Sequence, residues 1–469
     1  MFGYSHMKFM GAIADTLTEA GHNVTLLMPI MDAELQDKKG VKLTKNIIEI
    51  PCAPRVAEMM MDKAKVLAQT WVEESSVTTK LQMARNMTES FKCQCEQNLN
   101  DEKLIEQLKR EEFDVGIAEA FGICGFGIFE ILGIQTSIVT FSGVYLSPIS
   151  RAIGEPIVPS YVPGVSVAGD RMNVLERFLN TLDVALWDKI FTDILDAEID
   201  VFKRKFGSHF KSHSELLAQA SYVFTNSNPY LDYPRPLLHK TISIGGITVS
   251  ADSKQDKLSA KWDAILNERN TTVLVSFGSV TKTVYMPGEY KSYNYLLVEK
   301  ANYFVVADSR LTVFVTHAGL GSTTELAYQG KPAILIPLFA EQPRNARMLA
   351  KHGGGIVLSK NDLASPEKLR NSLLTIMNDP RYSQNAKRLS EMLINPPISP
   401  KLLLLRHCEF AARFGRLPNL DPYGRQLSFV QYFLIDIAVV AASVIAIVVF
   451  VALLLLRKCL SISAKLKIE

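Results

Sequence analysis

The sequence predicts an α/β protein of two Rossmann-like, doubly wound halves, followed by one membrane-spanning helix. Three observations carry that expectation. Short apolar runs of strand length alternate with helix-period segments in two series, separated by a polar stretch near residue 250. The chain has 469 residues, more than one hydrophobic core usually supports. A single uncharged run, Ile437 to Leu456, apolar but for Ser443, is long enough at about 1.5 Å per residue to cross a bilayer.

In the first series, Phe9, Ile13, Leu17 and Ala20 recur at helical spacing, Gly21 stops that helix, and Val24 to Met28 reads as a buried strand. Helix 102–111, strand 113–118, helix 125–132, strand 136–140 and strand 222–226 continue the pattern. Strands apolar along their whole length imply a parallel sheet covered on both faces. The polar run Ala-Asp-Ser-Lys-Gln-Asp-Lys after Gly245-Gly246 reads as a linker. Beyond it come strand 272–277, strand 311–316 ending at His317, a helix over 322–328 and strand 333–336. The expected divisions are 1–246 for the first half, 247–260 for the linker, 261–398 for the second half, 399–431 for a helical segment, 432–456 for the span and 457–469 for a tail. The two halves face each other, with ligands at the carboxyl ends of the strands.

Charge and cysteine usage narrow the classes further. A net charge of +3, without a basic run interleaved with aromatics, argues against nucleic acid as a partner. The six cysteines show neither C-x-x-C nor a Cys/His metal spacing, so neither a metal nor a disulfide framework is expected. Arg457, Lys458, Lys465 and Lys467 follow the span, whereas Arg425 is the one basic residue shortly before it, which places the tail in the cytosol and the body in a lumen or outside the cell. Met1-Phe-Gly-Tyr-Ser-His6 has neither a basic nor an apolar leader region, so the expectation is a sequence that starts late. The sequons Asn86-Met-Thr88 and Asn270-Thr-Thr272 suit a luminal body, while Asn23-Val-Thr25 runs into a strand read as buried.

The stretch Phe314-Val-Thr-His-Ala-Gly-Leu-Gly-Ser-Thr-Thr-Glu325 combines a strand, a glycine-bearing turn and a helix start. Gly319 and Gly321 allow close backbone approach, and Ser322 and Thr323 add hydroxyls beside the unbonded N–H groups of a first helical turn, which suits a phosphate. The same residues suit equally well a plain βα turn with Ser322 as N-cap. Pro337-Leu-Phe-Ala-Glu-Gln-Pro343 then puts Glu341 and Gln342 at another strand's carboxyl end.

Taken together these segments resemble the nucleotide-sugar signature of UDP-glycosyltransferases, the glucuronosyl- and glucosyltransferases of GT-B fold, most like an invertebrate member. The resemblance extends to Gly3-Tyr-Ser-His6, Phe113-Asp-Val115, Ser276-Phe-Gly-Ser279, Asp421-Pro-Tyr-Gly-Arg425 and the terminal span. It implies that His317, Gly319, Gly321, Ser322 and Ser279 meet the pyrophosphate, Glu325 the ribose hydroxyls, and Glu341 with Gln342 the sugar hydroxyls. It implies further that His6 is the general base and Glu119 its acidic partner in an inverting transfer from UDP-glucuronic acid or UDP-glucose to a hydroxyl of a small lipophilic acceptor. The UDP-sugar is then a co-substrate, no cofactor is called for, and the lack of any Asp-x-Asp motif fits a metal-free reaction. Association with copies of itself or with relatives is left open.

The chain departs from the family pattern in two large gaps and at two single positions. The Trp-x-Pro-Gln segment that stacks on uracil is not found, and the stretch from Ser279 to Arg310 is shorter than the roughly 45 to 60 residues its two strands, two helices and loop require. A strand is also expected before the His6 helix. Ala318 stands where a second glycine is usual, and Glu341 where an aspartate is. The rival expectation is a non-catalytic membrane-anchored member, or a truncated gene model. The ending Lys465-Leu-Lys467-Ile-Glu469 resembles the dilysine signal of endoplasmic reticulum membrane proteins.

Overall fold

The computed structural model describes residues 3–61, 63–72, 76–165, 169–249, 258–278, 281, 283–291 and 303–465. Met1–Leu420 form one compact unit and Asp421–Glu469 a second. Ser279, most of the polar linker run (250–257) and the last four residues of the dilysine ending (466–469) lie outside the described residues.

The first half opens with α1 (Tyr4–Glu19), which buries Met7, Phe9, Ile13 and Leu17 along one face. Gly21 at φ 92° ends it, with the Gly21 and His22 N–H groups donating to the Thr18 and Leu17 carbonyls, a closure that a left-handed glycine allows. Strand β1 (Thr25–Pro29) pairs in parallel with β2 (Asn46–Ile50), which the sequence reading missed. Asn23, expected to enter a buried strand, is exposed just ahead of β1. The remaining helices and strands of this half are α2 (Val77–Asn100), β3 (Gly116–Glu119), α3 (Cys124–Leu132), β4 (Ser137–Phe141), α4 (Val174–Phe206), β5 (Tyr222–Thr225) and β6 (Thr241–Ser243), besides shorter helices. Strands β3-β4-β5-β6 form a parallel sheet in that order, and β1-β2 is a separate sheet. The strand expected from Phe113 begins only at Gly116.

One expectation is overturned here. Cys95 on α2 and Cys124 at the start of α3 form a disulfide. The pairing links residues distant in sequence, and such connectivity is not readable from cysteine spacing. Glu198 of α4 lies against the same bond, accepting the backbone N–H groups of Ile123 and, at 3.0 Å, Cys124. Burial pushes its carboxyl up to about 8, although these two N–H groups pull the other way.

The second half is built from β7 (Thr272–Ser276), β8 (Leu311–Thr316), α5 (Leu320–Gln329), β9 (Ala333–Leu335), α6 (Gln342–Lys351) and β10 (Gly355–Val357), with the parallel order β10-β9-β8-β7. Its apolar core takes in Trp71 from the first half, fully buried and edge-on to Phe277 at 5.0 Å. Tyr328 of α5 reaches the other way, donating to the Gly245 carbonyl at 3.2 Å and accepting from Asn228 at 3.1 Å. The buried Arg344 of α6 pairs with Asp232 at 2.6 Å. After further helices, α7 (Pro400–Phe414) packs Leu404, Cys408 and Ala411 against Phe9, Ile13, Tyr222 and Phe224, so the expected C-terminal helical segment completes the core of the first half.

The second unit contains α8 (Ile435–Lys465). Its stretch Ile435–Leu460 has a mean hydropathy of 3.3 and lies wholly exposed. At about 1.5 Å per residue it is long and apolar enough to cross a membrane.

Candidate functional site

Two clusters of site residues form at the carboxyl ends of the strands. His6 sits in the first turn of α1 and Glu119 is the last residue of β3; the His6 Nδ1 lies 2.9 Å from both Glu119 carboxylate oxygens. The third member, Ser142, was not foreseen. It follows β4, its hydroxyl lies 2.8 Å from His6 Nδ1 and donates to Glu119 Oε1 at 2.5 Å, and its backbone N–H donates to the same oxygen at 3.0 Å. Because β3 and β4 are adjacent parallel strands, their ends are neighbours, and that adjacency was the available signal. Asn226, after β5, donates to the Ser142 carbonyl at 2.8 Å.

The electrostatics of this cluster favour a charged pair. Burial disfavours the His6 imidazolium, but the Glu119 charge and hydrogen bond outweigh it, with Glu341 adding a smaller contribution, and its pKa ends above 6.5. Glu119 is likewise opposed by burial, yet His6 and the two Ser142 contacts hold its carboxyl below the usual range. With Nδ1–H committed to Glu119, the neutral ring presents Nε2 as its basic atom. The ring of Phe121 stands edge-on to His6 at 5.1 Å.

The second cluster lies where β8 meets α5. The helix begins at Leu320 with Gly319 as N-cap, so Ser322 is inside the first turn and does not act as the cap. The Thr323 N–H is already bonded to the Gly319 carbonyl, which among the described residues leaves the N–H groups of Leu320, Gly321 and Ser322 as the unbonded donors that a helix start offers. A Cβ on Gly321 would meet nothing within 4 Å, so the space over this turn is open. Gly319 and Gly278 have a different role. A Cβ at either would come within 2.6 Å of the His317 ring, and both glycines therefore make room for it. Burial pushes His317 down to about 4, which keeps it neutral at physiological pH. Ala318, fully buried at φ 62°, adopts a left-handed backbone that explains why glycine suits the position.

Glu325 lies farther along α5 and bonds Lys8 of α1 at 3.0 Å. Glu341 caps α6 after Ala340, another left-handed residue at φ 52°; burial raises its carboxyl pKa, with His6 and Arg344 opposing. Gln342 has a contact that the sequence did not foresee. Its side-chain carbonyl accepts the Leu338 and Phe339 N–H groups at 2.8 and 3.1 Å and the residue is buried, so that end of the amide holds its own loop together.

Trp71 is buried in the core of the second half, while Trp262 and Trp187, both half-buried, pack against the cores of the second and first halves. Among the described residues, the group of potential metal ligands that comes together is Cys95, Cys124 and Glu198, and its two sulfurs are bonded to each other.

Comparison with known proteins bears on the family and the fold. Residues 2–289 and 305–468 match the family described as "UDP-glucoronosyl and UDP-glucosyl transferase". The chain is 26% identical to ugt-47 of Caenorhabditis elegans, covering 93% of this chain and 87% of that protein. It is 23% identical to UDP-glucuronosyltransferase 1A10 of Homo sapiens, covering 99% and 92%. Among solved structures, a UDP-glucosyltransferase from Polygonum tinctorium superposes with a TM-score of 0.54 over 87% of this chain and 96% of that one, at 14% identity. Os79 from O. sativa gives 0.52 over 87% and 97%, also at 14% identity. These two show the shared GT-B arrangement of two Rossmann-like halves. With a family match along nearly its whole length and a histidine–carboxylate pair at the strand ends of a GT-B fold, this chain belongs to the UDP-glucuronosyl and UDP-glucosyl transferase family.

Proposed function

We propose that this chain transfers glucuronic acid or glucose from its UDP conjugate to a hydroxyl of a small lipophilic acceptor, with inversion and without a metal ion. The observation that carries the reading is the His6–Glu119–Ser142 cluster, which fixes one imidazole tautomer and leaves Nε2 as a base. Nε2 takes the acceptor proton as the oxygen attacks the anomeric carbon, and Glu119 stabilises the resulting imidazolium. The α5 turn, with its unbonded N–H groups, open space and neutral His317, suits the diphosphate. Glu325 and Glu341 offer carboxylate oxygens to the ribose and sugar hydroxyls. The names of the human and Polygonum tinctorium proteins support the donor class. The apolar helix α8 is proposed as the anchor, with the basic residues after the span holding the tail in the cytosol, the body in the lumen and the protein in the endoplasmic reticulum.

Incubation of microsomes expressing the full chain with labelled UDP-glucuronic acid and UDP-glucose over a panel of phenols tests the proposal. Transfer is expected with one donor and lost in His6→Ala, whose binding of UDP stays intact; appreciable activity in that variant refutes the base assignment. A non-catalytic role is the second reading, favoured by the burial of Trp71 in an apolar core and the packing of Trp187 and Trp262 against the edges of two others. The absence of transfer alongside active relatives decides for it.

A further inference from the structure

We infer that Lys8 supplies the positive charge for the departing diphosphate, moving onto a β-phosphate oxygen from the Glu325 carboxylate that it bonds across the two halves. The inference rests on the proposed donor site. Three observations carry it.

The first is position. Lys8 lies two residues beyond His6 on α1, and its Nζ reaches 3.0 Å from Glu325 Oε1 on α5 although the two residues are 317 apart in sequence. With His6 at the reacting anomeric carbon and Glu325 at the ribose, the diphosphate joins these two ends of the donor, and the Lys8 ammonium, carried on the same helix as His6, stands at the ribose end of that span on Glu325. The second is charge. The reaction forms a bond from acceptor oxygen to the anomeric carbon and breaks the bond from that carbon to the β-phosphate oxygen. The bonding pair leaves on the diphosphate, and the acceptor proton goes to His6 Nε2, so net negative charge develops at the phosphate. His317 is neutral and can offer one N–H, and the α5 turn offers backbone dipoles; neither carries a full positive charge. Lys8 does, and its side chain is 36% exposed, which leaves the ammonium room to turn. The third is exchange. Ribose hydroxyls donate to Glu325 when the donor binds, taking over the hydrogen bond that Lys8 gives in the free protein, so the switch of partner leaves neither the carboxylate nor the ammonium unmatched.

The test is calorimetric binding of UDP and of uridine to the full chain in detergent, at low and at high salt. Wild type is expected to bind UDP more tightly than uridine, and Lys8→Met to shrink that ratio by about 10- to 100-fold, the range for a hydrogen bond to a charged group, while uridine affinity holds. Lys8→Arg, which keeps the charge, should retain most of the discrimination, and salt should weaken UDP binding more in wild type than in Lys8→Met. Glu325→Gln should act in the opposite sense, weakening uridine while preserving or widening the ratio. Equal ratios in wild type and Lys8→Met, with unchanged melting temperatures, overturn the Lys8 assignment alone. So does a parallel loss of uridine and UDP affinity in Lys8→Met, which marks the pair as structural. Wild-type protein that binds neither ligand overturns the donor-site reading, and this inference with it.

Discussion

Replacing Glu119 by glutamine keeps the shape of the cluster and removes one charge, so it isolates what the carboxylate does for His6. The charge centres of the pair lie about 4 Å apart, which at an effective dielectric of about 20 corresponds to about 4 kcal/mol. That stabilisation applies to the imidazolium formed in the transition state, and its loss slows the step by about three powers of ten. The sign of the pH effect follows from the same balance. In the native protein Glu119 outweighs burial and holds His6 above 6.5, so the neutral base appears, and kcat/KM rises, only as pH climbs through that raised value. Without the charge, burial dominates and the acid limb moves below 6.5. The linked contribution to stability is fully present below about 6.5 and disappears as pH rises through the folded value. Steady-state kinetics of Glu119→Gln from pH 5 to 9, with UDP affinity as a control, reads both effects. Activity within about threefold of wild type, or an unshifted acid limb, refutes the charge-pair reasoning.

Other perturbations separate the supporting features. Ala318→Gly relieves a left-handed alanine, whose strain of about 1–3 kcal/mol exceeds the entropy a glycine adds to the unfolded chain, so the melting temperature should rise; a fall shows the strain to be absent. Cys95→Ala opens the Cys95–Cys124 loop and should destabilise by about 3–4 kcal/mol, seen as a lower denaturation midpoint that no longer responds to reductant. Glu198 binds a proton in the folded state up to about pH 8 but only up to about 4.5 when unfolded, so its contribution to stability is fully present below 4.5 and is lost as pH rises through 8. Glu198→Gln should flatten that decline in a thermal-melt series, and an equally steep slope in the variant removes Glu198 as its source.

The sequence made legible what periodicity and motif could carry. Strand β8 falls on its predicted residues, and α1, α3, β1, β4, β5 and β7 fall within a few residues of theirs, because each presents a continuous apolar stripe. Strands β2, β6 and β10 escaped notice: β6 and β10 have three residues each, too few to show a period, and β2 is only partly buried along an edge. His6, Glu119 and the α5 turn were identified from their resemblance to a family motif, and the structure adds what a motif cannot contain, namely the partners of each group. Ser142 has no motif of its own and matters because two strand ends are adjacent. Gln342 carries the expected residue type, but its carbonyl is taken up by the backbone of its own loop. Lys8 became visible only when α1 and α5 were brought together.

No ladder among the described residues joins the β1-β2 sheet to the β3–β6 sheet. The chain from α1 through β2 is tied to itself by Asp15 of α1, which accepts the Lys42, Leu43 and Thr44 N–H groups, and is held to the larger sheet by apolar packing and by the bond from His6 to Glu119. The His6–Glu119 pair is therefore also a fastener, and the titration of one imidazole is linked to how tightly the leading segment grips the rest of its half. Amide exchange over residues 4–50 should then accelerate as pH rises through the His6 transition, while β4 and β5 remain protected. Loss of that proton would loosen the mounting, so the state of the imidazole that can accept a proton is also the state in which the leading segment is held less tightly.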